Sequence, residues 1–125
     1  MTLLTREAIT QKITFDMVEV DVSEWGAPGE QTTVFVREMS ARERDAYDAT
    51  LVSGKGKKTS VNFKDMRAKL VIASACDADG KLIFLPEDAE WLSQKPVKVL
   101  DRICDAARKV NGLSIEEDEE EQVKN

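Results

Sequence analysis

The sequence predicts an α+β fold: an N-terminal β-hairpin followed by a mainly α-helical domain with one short additional strand. Three observations carry that reading. Apolar residues alternate at period two in two segments before residue 40, and recur at helical spacing in two segments after it, with helix-start signals at Ser40 and Pro86 besides. Turn clusters rich in glycine, proline and aspartate separate these segments. With 125 residues, 42% hydrophobic and 34% charged, the chain can build one core and a soluble surface, whereas two independent cores would be cramped. No internal repeat is visible. We expect a single α+β domain over residues 1–113 and an acidic, flexible tail over residues 114–125.

Thr5, followed by Glu7 and Ala8, can open a short and marginal helix. Alternation begins at Ile13, where Ile13, Phe15, Met17, Val18, Val20 and Val22 mix with polar residues as a half-buried strand does. Residues 25–30 form a turn cluster, and residues 32–39 read as the second strand. A two-stranded hairpin is not stable alone, so its apolar face must lie against helices or another copy.

Ser40 and Glu43 have the spacing of a capping box, in which the hydroxyl and the carboxylate cover free amides of a helix's first turn. The helix they open passes through Tyr47 and Leu51 and stops near Ser53 and Gly54. Asn62 is expected to cap the next helix. Its later part, residues 70–76, is apolar nearly all round, as in a helix buried on several sides. Asp77, Asp79 and Gly80 then make a turn into a short strand over residues 81–84. Pro86, with Glu87 and Asp88 behind it, starts another helix, because proline suits a first turn and acids suit its positive end. The last helix begins near Pro96. Val97, Leu100, Ile103, Cys104, Ala107 and Val110 form its apolar stripe, and Asn111 and Gly112 close it.

Composition excludes much chemistry. There is no histidine, which removes the usual acid–base group near neutral pH and the commonest metal ligand. Cys76 and Cys104 form neither a disulfide framework nor a CxxC site. Residues 54–59 lack the spacing of a phosphate loop, and Lys81 stands where a calcium loop needs a ligand. No nucleophile has a recognisable base. We therefore expect no enzyme, no cofactor, no metal and no small-molecule substrate. The N-terminus lacks a signal peptide's apolar run, and no stretch is long and apolar enough to span a membrane, so the sequence reads as intracellular.

The net charge of −6 is unevenly placed. Glu116, Glu117, Asp118, Glu119, Glu120 and Glu121, against Lys124, give residues 114–125 a net of −5, and residues 1–113 carry seventeen bases against eighteen acids. Such a run of acids is usually solvated, with contact to a basic surface as the sharper alternative. The acidic balance argues against nucleic acid. Trp25, in a loop, and Trp91, at a helix opening, suit either core packing or a partner interface.

Three segments in order carry a further signal. The first runs from Glu24, Trp25 and Gly26 to Val34, Val36, Arg37, Glu38, Met39 and Ser40, and on to Glu43, Arg44 and Asp45. The second holds Arg67, Leu70 and Val71, with Cys76, Asp77, Asp79, Gly80 and Phe84. The third holds Leu100, Asp101, Arg102 and Ile103, with Val110, Asn111, Gly112 and Leu113. Together they resemble the tail assembly chaperones of long-tailed bacteriophages and related prophages, whose hairpin ends in a V-x-V-R-E-[LM]-[ST]-x-x-E-R-D run. Residues 27–30 depart from that pattern by lengthening the hairpin loop.

The resemblance implies a factor of the bacterial host's cytoplasm that is absent from the mature virion. It implies binding and solubilising of the tape measure protein, and recruitment of the major tail protein during tail-tube assembly. Holding a helical client needs apolar surface beyond one small core. The candidates are Phe63, Met66 and Leu70 on one helix, Val97, Leu100 and Ile103 on another, and Trp25 and Trp91; the alternative is that the two stripes pack on each other. Repeated contacts along a rod would favour self-association into an open spiral. The competing functional reading is a structural component of the tail tube or connector.

Overall fold

The computed structural model describes residues 1–11, 14–54, 56 and 60–113. The hairpin forms as expected. β1 (Met17–Asp21) pairs antiparallel with β2 (Thr33–Arg37), Val18 facing Val36 and Val20 facing Val34. A 3-10 turn over Ser23–Trp25 leads into the connection, and the Val22 amide donates to the Thr32 carbonyl at 2.8 Å. Alternation then sorts the two faces. Val20, Val22 and Val36 enter the core, while Met17, Phe35 and Arg37 stand on the reverse side.

The third strand of this sheet is not where the sequence placed it. The long apolar helix stops early: α3 spans Met66–Ser74, and Ala75, at ψ 130°, turns the chain extended. Ala75–Cys76 becomes β5, antiparallel to β2, giving the order β1-β2-β5. The run 70–76 is apolar all round because it is buried first as helix and then as strand. Periodicity cannot separate these two fates in so short a stretch. The segment expected as a strand, 81–84, contributes one bridge from Leu82 to Cys76. Its turn is fixed by Asp77, whose carboxylate accepts from the Asp79 and Lys81 amides.

α2 (Ala41–Thr50) opens on the full capping box: the Glu43 amide donates to Ser40 Oγ and the Ser40 amide to Glu43 Oε1. Beyond it β3 (Val52–Ser53) and β4 (Ser60–Val61) pair as a small ladder that the sequence reading missed. Asn62 caps no helix. Its Oδ1 accepts the Lys64 amide in a turn, and α3 begins four residues later, after Asp65 in the left-handed region at φ 57°. Pro86–Asp88 is a 3-10 turn leading into α4 (Ala89–Leu92). The marginal N-terminal helix exists as α1 (Arg6–Gln11), capped by Thr5 Oγ1 and with no buried residue.

α5 (Val97–Val110) organises the rest by packing on α3 and across β1 and β2. It buries Val99, Leu100, Ile103, Cys104 and Ala107, one face of a 3.6-residue repeat. These meet Leu70 and Val71 of α3, Leu92 of α4 and the sheet valines. Gly112, at φ 70°, ends α5: its amide donates to the Lys109 carbonyl and that of Leu113 to the Arg108 carbonyl. Asn111 ties this end to the hairpin by accepting the Met39 amide at 2.7 Å. The acidic run and Ile13 lie outside the described residues.

Candidate interaction surface

Two guanidinium–carboxylate forks fix the hairpin to the helices. At one end Arg37, on the reverse face of the sheet, sends Nη1 and Nη2 to the two Glu43 oxygens at 2.9 and 2.7 Å. Its Nε donates to the Gly80 carbonyl at 2.8 Å, and its guanidinium lies 4.5 Å from the Phe15 ring. Glu43 thus serves the cap of α2 and the sheet together. At the other end Arg102 of α5 makes the same fork to Glu24, at 2.9 and 2.7 Å, and donates to the Asp21 carbonyl.

With the hairpin held there, α3 and α5 leave a groove of about 730 Å³ between the start of α3 and one side of α5. Phe63, Met66, Val97 and Leu100 supply its apolar surface. Asp65, Arg67, Lys95, Asp101, Asp105 and Arg108 supply the charge. Arg67 Nε donates to Asp101 Oδ1 at 2.6 Å across the groove, and Arg108 reaches Asp105 at 3.3 Å. Nothing in the sequence marks Arg67 and Asp101 as partners, since they are 34 residues apart.

The eight residues proposed to meet a partner divide. Phe63 and Val97 are 45% and 48% exposed at the groove, with half-buried Met66 between them. Leu100 is buried at its floor. Leu70 and Ile103 belong to the core, where the two helical stripes do pack on each other. Trp91 stands outside the groove lining, 47% exposed, with its Nε1 donating to Asp88 Oδ1 and Phe84 edge-on to its ring. Trp25 packs against the core, and its Nε1 is buried without a partner among the described residues.

Burial pushes the Cys104 thiol up to about 12 and raises that of Cys76, so neither is a ready thiolate. Among the described residues no three His, Cys, Asp or Glu side chains group to hold a metal, and no helix is long and apolar enough to cross a membrane.

A family model described as phage tail assembly chaperone matches residues 4–125. Among solved structures, the chain is similar to the tail assembly chaperone of bacteriophage HK97. The identity is 23%, 74% of this chain and 85% of that one are covered, and the TM-score is 0.48. No curated protein matches the chain.

Proposed function

The chain belongs to the phage tail assembly chaperone family, and we propose that it holds an apolar helical segment of the tape measure protein in the α3–α5 groove. In the same reading it helps recruit the major tail protein, acts in the host cytoplasm and leaves before the virion is complete. A chaperone family is not an enzyme family. The observation that carries the proposal is the exposure of Phe63 and Val97 beside Met66, apolar side chains left over after the core is closed. A helix laid in a groove is recognised through such anchors, and the charged rim sets its register. Along α5 the groove runs from Val97 to Arg108, about 16 Å, which matches three turns of a client helix.

Co-expression with the tape measure protein of the same genome tests this. The wild-type chain should bring that client into the soluble fraction as a complex, and Phe63→Asp with Val97→Asp should lose it while keeping the native circular dichroism spectrum. A client that stays insoluble beside the wild-type chain overturns the proposal. Abundant copies in purified virions, read by mass spectrometry, would favour the structural tail component instead. Stacking of copies along the rod into an open spiral is the assembly we propose for the loaded state. Sedimentation of the complex should show several chaperone chains per client; a one-to-one complex would exclude it.

A further inference from the structure

We propose that copies of this chain join head to tail by sheet pairing, with the 81–85 edge of one copy added to the β1 edge of the next. The proposal deepens the self-association reading above, and rests on it for the open assembly that the pairing would build.

Both outer edges of the sheet are open. β1 has β2 on one side and no strand on the other among the described residues. The Val22 amide donates to the Thr32 carbonyl, and the Glu38 amide to the Asp16 carbonyl. By alternation Val18 and Val20 also bond toward β2, so Met17 and Glu19 turn their N–H and C=O groups outward. On the far side of β5, the Asp77 amide donates to the Lys81 carbonyl and the Ile83 amide to the Ala75 carbonyl, at 2.9 and 3.2 Å. Leu82, between them, therefore turns its own N–H and C=O away from β5. Among the described residues no hydrogen bond engages the backbone of Leu82, or that of Phe84 two residues on. Such an edge is a template for another strand.

The side chains say which strand. Val18 faces Val36, Val36 faces Ala75, and Ala75 lies opposite Ile83, so one apolar row crosses the sheet. Its middle members, Val36 and Ala75, are fully buried, while Val18 and Ile83 at its ends are 41% and 44% exposed. Leu82 and Leu85 are exposed beside Ile83, and Met17 beside Val18. Setting Ile83 of one copy against Val18 of the next continues the row and covers both bare ends.

Direction and register agree with that contact. β1, β2 and β5 alternate in direction, and residues 81–85 run antiparallel to β5. A second copy in the same orientation therefore presents its β1 antiparallel to that edge. With Ile83 opposite Val18, Leu82 falls opposite Glu19 and Phe84 opposite Met17, so outward backbone groups meet outward backbone groups. Symmetric contacts do less: β1 against β1 leaves both 81–85 edges bare, and the converse leaves both β1 edges bare. Pairing unlike edges leaves one of each at the ends of any stack, which is how an open assembly grows.

The test uses the full chain without client, mildly oxidised and read on a non-reducing gel. Val18→Cys with Ile83→Cys should give a ladder of covalent multimers. Within one chain these positions lie three strand spacings apart, about 14 Å, too far for an internal disulfide. Each single variant should stay monomeric alone, and the two mixed should give a dimer and nothing larger. Glu19→Cys with Leu82→Cys should repeat the ladder in the same register. Cys76 and Cys104 are buried and stay out of the reaction, and circular dichroism checks that each variant keeps the native spectrum. A covalent dimer from either single variant places like edges together and overturns the head-to-tail contact. Native-like variants that give no ladder overturn it as well. A chain that gives no ladder yet solubilises the tape measure protein loses this interface and keeps the chaperone reading.

Discussion

Arg37 meets Glu43 and Arg102 meets Glu24 through the same two contacts, at 2.9 and 2.7 Å, in opposite surroundings. The Arg37 side chain is 7% exposed and its carboxylate 31%, whereas the Arg102 and Glu24 side chains keep 40% and 51%. Equal geometry therefore does not mean equal weight. Water and salt screen the outer fork, while the inner one lies under Phe15 with its Nε committed to the Gly80 carbonyl. The inner fork also joins three elements, because Glu43 caps α2 and Gly80 belongs to the turn behind β5. Its loss would loosen the sheet where the outer fork only trims the hairpin's far end.

Removing Arg37 is the strongest way to break this comparison. Arg37→Ala should cost about 3 kcal/mol of unfolding free energy, since it strands a partly buried carboxylate and a carbonyl that loses its donor. Arg37→Lys should rescue little, because an ammonium cannot reproduce the fork. Replacing both partners, Arg37→Met with Glu43→Leu, should recover much of the loss. Urea unfolding reads all three. If Arg37→Ala unfolds no more easily than Glu24→Gln, burial does not separate the forks.

The cap sharpens the same contrast at smaller scale. Ser40→Ala removes the acceptor of the Glu43 amide and should cost about 1 kcal/mol. Since Glu43 then loses a restraint while keeping Arg37, Ser40→Ala and Arg37→Ala should be non-additive in a double-mutant cycle. A strictly additive cycle would show that cap and fork act separately.

How much of this was legible follows from distance along the chain. The inner fork and cap sit within seven residues, from Arg37 to Glu43, so the capping box could be read from Ser40 and Glu43 alone. The outer fork joins residues 78 apart, and no local pattern marks it. The end of α5 was readable because Asn111 and Gly112 are specific C-terminal signals. The start of α3 was misplaced because Asn62 has the side chain of a cap but spends it on the Lys64 amide in a turn, and the helix begins only after Asp65 in the left-handed region. The switch from α3 to β5 within the apolar run 70–76 is decided by pairing with Phe35 and Val36, a tertiary contact that periodicity does not contain. The groove was half visible. Its apolar members lay in the two stripes, but which residues each stripe leaves outside depends on how α3 and α5 cross.

The smallest expected effect belongs to Glu24, where acid makes the contrast sharpest. Hydrogen bonds from Arg102 hold the Glu24 carboxyl down at about 2, and Arg37 holds Glu43 below the ordinary glutamate range against the burial that pushes it up. Both folded values lie below the unfolded one, so each carboxylate contributes stability at neutral pH that is lost as pH falls through its folded value. The Glu24 contribution should disappear with added salt, because that pair is open to solvent. Glu24→Gln should therefore leave neutral-pH stability at physiological ionic strength almost unchanged. Glu43→Gln should lower it and flatten the acid limb of the stability–pH curve at low and high salt alike. Unfolding midpoints at pH 7 and pH 3, each in low and high salt, separate the two. An acid limb that depends on Glu24 as strongly as on Glu43 in high salt would mean that the outer fork is shielded from water, contrary to its exposure.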